Sequence, residues 1–324
     1  MADKKGRNLP AKKYTHSNPT ELRLSFELTG PGTKFIDIAK ALSEFNRKFV
    51  SQQAYFYVNK IECYNNSNAH VDVHTIPDTW VTKNAYRRGR AMYEANRALL
   101  DPPATGGITT KYEDFKVFMT YRHAALAASN PSLTPSVYEI DASDVTVGTG
   151  EWTYTQLVSS DDNQDTINVA DGFYLHMIGD HTPSSIPGQW ESVGLIKSYG
   201  DSRTAVDATS PNNSLVDITD PLLNLHDNSS EEQINALATL AKTENDEPPY
   251  SVVNYLGEGN ASMSHQARLV TTSETGRVTS APGFCAPFGL ICIDPDTSVG
   301  SSDRFRIVLT LAPGPYHGVY AERV

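Results

Sequence analysis

At 324 residues the chain is long enough to bury a large core, and its 39% hydrophobic and 20% charged content is that of an ordinary globular protein. A net charge of −11 argues strongly against a dedicated basic DNA-binding domain. No run of about 18 apolar residues offers a membrane-spanning helix, and the polar, basic start has no apolar stretch of the kind a secretory signal needs.

The charge is unevenly spread. Through Thr20 the chain carries Lys4, Lys5, Arg7, Lys12 and Lys13 against Asp3 alone, a balance of +4, which leaves −15 for the rest. Residues 1–20 therefore read as a flexible basic arm on an acidic body. Such an arm suits phosphate neutralisation, or simply solubility. ELRLSFELT follows, with Leu22, Leu24, Phe26 and Leu28 on one face and Glu21, Arg23, Ser25 and Glu27 on the other, a half-buried strand.

The stretch from Phe35 to Asp101 reads helix, strand pair, helix. Phe35, Ile38, Leu42, Phe45 and Phe49 form an apolar stripe at helical spacing, with Thr33 placed to cap its start. AYFYVNKIECY and HVDVHTI then alternate with period 2 around a turn-like NNSN. Pro77-Asp78 closes the second strand, Asp78 is placed as the cap of a helix from Trp80 to about Leu100, and Asp101-Pro102-Pro103 ends that helix. KYEDFKVFMTYRHAALAAS predicts a strand followed by a short helix.

Short strand-like runs recur thereafter: SVYEID, DVTVG, EWTYTQLV, DGFYLHMIG and QWESVGLIKS, separated by turn clusters. Residues 201–250 shift to Asp, Asn, Ser and Pro and read as a long surface excursion. Within it SSEEQINALATLAK has the pattern of a compact helix. SVVNYLG, SHQARLVTT, GFCAPFGLICID and DRFRIVLTLAP close the sheets. The class expected is mainly β, an antiparallel β-sandwich with inserted amphipathic helices, residues 21–324 forming one domain behind the arm.

No nucleotide-binding glycine loop, zinc-protease HExxH or nucleophile-elbow GxSxG is present. His70, Asp72 and His74 alternate on one strand and could offer metal ligands, but no further ligand follows at suitable spacing. His176, Asp180 and His181 fall at a strand end, where a turn is the default. Asp294, Asp296 and Asp303 fail as a calcium loop, because Val299 and Phe305 stand where glycine and glutamate are required. Cys63, Cys285 and Cys292 contain no CxxC pair, and free thiols are the simplest reading, although Cys285 and Cys292 could bridge. Nothing resembles a catalytic constellation, so no enzyme activity and no cofactor is expected. Arg87, Arg88 and Arg90, with Lys83 and Arg97, give the helix after Asp78 a basic side able to meet phosphates; a solvated face is the bland alternative.

FIDIAKALSEFNRK, IPDTWVTKNAYRRG and YEDFKVFM, in that order, resemble the N-terminal half of capsid proteins from circular Rep-encoding single-stranded DNA viruses. The similarity covers about 40% of the chain. It implies a jelly-roll coat protein, many copies of which close into an icosahedral shell around the genome. Its partners are then other copies of itself and the viral single-stranded nucleic acid, without membrane insertion. Its place is the virion, assembled inside the host cell, with the nucleus one candidate compartment. Lys4, Lys5, Arg7, Lys12 and Lys13 would be the packaging residues, with Arg87, Arg88 and Arg90 in reserve. The arm departs from the long Arg-rich arms of related viruses in being short and Lys-based. The main alternative is a lectin-like β-sandwich that binds carbohydrate on exposed Tyr and Trp; a hydrolase with a site assembled from scattered Asp, His and Tyr is a third.

Overall fold

The computed structural model describes residues 19–65, 68–100, 112, 114–129, 131–137, 145–159, 171–184, 190–204, 250, 255–259, 263–272, 277–296, 300–301 and 303–324. In chain order these form β1 (Arg23–Thr29), β2 (Lys34–Asp37), α1 (Ile38–Asn46), β3 (Ala54–Asn65), β4 (Ala69–Thr75), α2 (Trp80–Leu100), β5 (Phe118–Thr120) and α3 (Tyr121–Ala125). Next come β6 (Ser136–Val137), β7 (Val145–Thr146), β8 (Gln156–Ser159), β9 (Asp171–Ile178), β10 (Thr182–Pro183), β11 (Trp190–Gly194) and α4 (Leu195–Thr204). The chain closes with β12 (Ser264–Thr271), β13 (Val278–Pro287), β14 (Leu290–Pro295), β15 (Arg304–Leu311), β16 (Pro313–Gly314), β17 (Gly318–Val319) and β18 (Ala321–Arg323). The protein is mainly β. It divides into two compact units: one from Met1–Thr75, Ser132–Thr153 and His265–Val324, the other from Ile76–Pro131 and Tyr154–Ser264.

Unit one is a β-sandwich. Its first sheet has the order β1-β15-β3-β13, with β18 also on β3; its second is β12-β4-β14-β2. The pairings β1–β15, β15–β3, β3–β13, β14–β2 and β14–β4 are all antiparallel. Alternation in the sequence becomes apolar ladders: Leu24 sits opposite Leu309, Phe26 opposite Ile307 and Leu28 opposite Phe305. All six are at most 1% exposed and pack in one core with Ile36, Ile38, Val71, Val73, Leu269, Ile291 and Ile293 from the second sheet and α1. Each such side chain contributes roughly 1.5–3 kcal/mol by leaving water.

Several local expectations are corrected here. Lys34–Asp37 is a strand edge on β14, and helix α1 starts only at Ile38. Its cap is Asp37, not Thr33: the Asp37 carboxylate accepts the Lys40 N–H at 3.1 Å. The four-residue strand hides because Phe35 also fits the helical stripe that continues through Ile38 and Leu42. β3 and β4 alternate as expected but do not pair with one another; they enter different sheets. The phase of β3 also shifts. Phe56 and Val58 point inward, Asn59 and Lys60 are both exposed, and Ile61 and Cys63 point inward again, because a register shift against β15 lets one residue bulge. Helix α2 begins at Trp80 as expected, but its cap is Thr79, whose hydroxyl accepts the Thr82 N–H; Asp78 instead pairs with Lys83. GFCAPFGLICID is two strands, reversed at Phe288 and Gly289, which both have positive φ.

Unit two centres on a mixed sheet, β10-β11-β9-β5, with β8 also on β9. β9 runs parallel to β11 and β5 and antiparallel to β8, so the expectation of purely antiparallel strands fails for this sheet. The strand expected over KYEDFKVFM contracts to Phe118–Thr120, and α3 follows it as foreseen. QWESVGLIKS is a strand only to Gly194; the chain then turns into α4. Helix α2 lies against α4 and β9. Gly89 makes the approach to α4 possible, since a Cβ there would sit 2.8 Å from Leu195 and 3.2 Å from the Phe115 ring. Tyr86 completes the seam: its ring meets Phe115 edge-on at 5.1 Å and its hydroxyl donates to the Phe115 carbonyl.

The one-domain reading of 21–324 thus meets two units, and the long connection between β4 and β12 spans residues 76–263 rather than 201–250 alone. Residues 205–249, with the helix expected from SSEEQINALATLAK, lie outside the described residues, as do 138–144 and 251–254 from SVYEID and SVVNYLG.

Candidate nucleic-acid interface

Lys4, Lys5, Arg7, Lys12 and Lys13 lie outside the described residues. Arg87, Arg88 and Arg90 lie on α2, whose 21 residues carry Lys83 and four arginines against Glu94. The buried positions Val81, Thr82, Ala85, Tyr86 and Gly89 share one side of the helix. At 100° per residue Arg87 and Glu94 fall opposite that side, and Lys83, Arg90 and Arg97, which are half-buried, fall on one flank of it. Arg88 lies on the other flank, as far from the outward direction as Arg97. Arg87 and Arg88 are exposed; Arg90 Nε donates to Glu94 Oε1 at 2.7 Å, and Lys83 lies 3.5 Å from Asp78. The helix was legible in the sequence, but only its buried face shows which of its cations are exposed.

The outward positions of β4 are His70, Asp72 and His74, between the buried Val71, Val73 and Thr75. They do not converge on a common point. Asp72 is clamped by Arg268, Nε to Oδ1 at 2.7 Å and Nη2 to Oδ2 at 2.8 Å, and His265 lies 3.3 Å from Oδ1. Hydrogen bonding to Arg268 leads in holding the Asp72 pKa down at about 2. His70 pairs instead with Asp296 at 3.1 Å, and the His74 ring meets His265 edge-on at 5.2 Å. Burial, then the charge of His265, lowers the His74 pKa. Asp294 accepts from Thr33, and Asp303 accepts the Gly300 N–H. Sequence reading missed Arg268 and His265, which come from a strand some 190 residues away and reach Asp72 only through the pairing of β12 with β4.

In unit two, His176 Nε2 lies 3.1 Å from the Asp180 carbonyl, and Nδ1 has no partner among the described residues. Burial pushes its pKa down to about 4. The Gly194 N–H donates to His181 Nδ1, so that ring holds the turn between β9 and β11. Lys197 joins Glu258 at 2.7 Å and Asp201 at 3.2 Å, and Glu258 leads in raising the Lys197 pKa to about 12.

Among the described residues no group of three or more His, Cys, Asp or Glu is arranged to hold a metal ion, and all three cysteines are free thiols. No described helix is long and apolar enough to cross a membrane. No protein-family model, curated protein or solved structure matches this chain. Helix α2 thus carries five cations against one carboxylate within an acidic chain, a composition that suits a polyanion.

Proposed function

We propose that the chain is a viral coat protein whose unit one is a jelly roll, and that copies of it close into a shell around a single-stranded genome. The observation that carries this reading is the strand order. Counting the eight strands of four or more residues in unit one along the chain, the sheets run first-eighth-third-sixth and fifth-fourth-seventh-second. The chain changes sheet at every connection except the fourth to the fifth, the winding that two Greek keys produce in an eight-stranded sandwich. Coat proteins are prominent among the proteins built this way. Fold alone does not fix function, so the basic arm is the second support. Its five cations precede β1, an end strand of its sheet, and such a cluster can neutralise phosphate without reading sequence.

Negative-stain microscopy of the purified full-length protein tests the reading, with closed shells of uniform diameter as the expected outcome. Replacing Lys4, Lys5, Arg7, Lys12 and Lys13 by Gln should leave shells but reduce the nucleic acid inside them. A protein that stays monomeric across salt, pH and concentration overturns the proposal. A carbohydrate-binding module is the second reading, favoured by Trp80 and Trp190, 42% and 44% exposed, with rings set against Tyr199, Tyr255 and His181. It predicts glycan binding by a monomer or small oligomer.

A further inference from the structure

We propose that His74 and His265 form an acid-sensitive joint: when both rings carry a proton, the leading end of β12 separates from β4. The use of such a joint, a response of the shell to acid, rests on the coat-protein reading; the joint itself does not.

The position of the pair carries the inference. The chain leaves unit one after Thr75 and re-enters it at His265, so the two histidines mark the two ends of one passage. Their rings meet edge-on, with centroids 5.2 Å apart. Strand β12 lies at the end of its sheet, and β4 is the neighbour that holds it. The far end of β12 is anchored deeply. The Thr271 hydroxyl donates to the Ala69 carbonyl at 3.2 Å, Leu269 is buried in the core, and Arg268 grips Asp72 with both nitrogens. The leading end is shallower. His265 is exposed, and Ser264, Gln266 and Ala267 are only half-buried. The ring contact there is backed by the hydrogen bond from Gln266 to Thr75 at 2.8 Å. Local opening starts at ends of this kind.

Two touching imidazoles are compatible while one is neutral, whereas two imidazolium ions repel. Their surroundings decide which charge is tolerated. His265 Nε2 lies 3.3 Å from Asp72 Oδ1, so a charge on His265 has a carboxylate to answer it. Among the described residues no acid forms an ion pair with His74. Asp72 on its own strand and Asp294 on β14 favour its charged form from a distance. Arg268, however, already occupies both oxygens of Asp72 and opposes a further cation. The β14 residue opposite His74 is Cys292, a buried thiol, and His70 is turned to Asp296. Burial first, then His265, holds the His74 pKa below its ordinary 6.5. The closed joint therefore binds this proton less readily than the open one. Its stability is full above 6.5 and is lost as pH falls from there toward the lower value of the closed joint.

The test is hydrogen exchange of the full-length protein between about pH 7.5 and 5, with protection corrected for the intrinsic pH dependence of amide exchange. A peptide spanning Ser264–Thr271 should lose protection by up to about tenfold for each pH unit below the ordinary histidine value, while one spanning β1 stays unchanged. His74→Gln should keep β12 closed across the range. His265→Gln should weaken the response. His70→Gln, on the same face of β4 but paired with Asp296, should leave it intact. An NMR titration of the His74 ring in the unsubstituted protein gives a reading that needs no variant to fold, and it should fall below the ordinary histidine value.

Protection in β12 that ignores pH, or an equal loss in β1, overturns the inference. So does a response that survives His74→Gln, or a His74 ring that titrates at or above the ordinary value. Shell formation is scored separately by microscopy: shells without the response remove the joint and leave the coat reading, and the response without shells does the reverse.

Discussion

Two buried side chains of single residues set opposing demands on pH. Glu44, on α1, has both carboxylate oxygens buried without a hydrogen-bond partner among the described residues, its nearest cation being Lys40 Nζ at 3.9 Å. Burial raises its pKa; Lys40 opposes this, the Asp37 charge adds to it, and Arg47 lowers it slightly. The folded state therefore keeps a proton that the unfolded chain gives up. Stability from this group is full below the ordinary glutamate pKa and is lost as pH rises through the folded value. Glu44→Gln should remove that fall, seen as a flatter stability–pH curve above the ordinary carboxylate range in urea titrations. His176 works in the other direction. Its pKa falls from 6.5 to about 4, so between those values the unfolded chain binds the extra proton. Stability should drop by on the order of 3 kcal/mol as pH falls from 7 to 4, and His176→Gln should abolish that component. An unchanged acid limb in the variant would show that another group controls it.

At the scale of elements, what could be read in advance depended on how local each signal was. β1 and β15 were legible because Leu24, Phe26, Leu28 and Phe305, Ile307, Leu309 alternate without interruption, and α2 because its start and stop lie in adjacent residues. β2 was not, since Phe35 satisfies helix and strand alike and only β14, some 255 residues on, decides between them. The pairing of β3 was equally hidden: its neighbours β13 and β15 come from the far end of the chain, and the bulge at Asn59 reverses the apparent inward set. α4 escaped because LIKS follows a true strand with no break other than Gly194. The basic helix of the candidate site was visible, but not which of its cations are exposed, because that requires knowing which face Gly89 and Tyr86 bury.

That buried face yields a third prediction. Gly89→Ala gains roughly 1 kcal/mol in helix propensity and costs roughly 1–3 by crowding Leu195 and Phe115. The net loss should therefore be at most about 2 kcal/mol. Gly89→Leu, with far more bulk at the same contact, should cost several times as much, whereas exposed Arg88→Ala should stay within about 0.5 kcal/mol. Urea unfolding of the three variants measures this, and equal effects at positions 88 and 89 would contradict the close approach of α2 and α4.

For the whole molecule, the described ladders of unit one begin at Arg23, and the first core-patterned run of the sequence begins near Glu21. Deleting residues 1–16 should leave the melting temperature within a degree or two while reducing copurified nucleic acid. A large drop in melting temperature would make the arm structural. The way the chain is shared between units has a different consequence. It passes from one unit to the other four times, at 75–76, 131–132, 153–154 and 264–265. The outermost passage is narrow: Gln266 Nε2 donates to Thr75 Oγ1 at 2.8 Å, so the chain leaves unit one and finally returns to it at neighbouring points. That alone would make the intervening residues a detachable cassette. The middle segment forbids a clean exchange, because the Ser132 carbonyl accepts from the buried Lys40 ammonium and Leu133 N–H donates to the Phe35 carbonyl. A graft cut only at the outer passage would strip Lys40 of that acceptor inside the core. The sandwich can thus accept a new ornament only if residues 132–153 travel with the scaffold, which makes the insertion two removable pieces laced through one retained stitch.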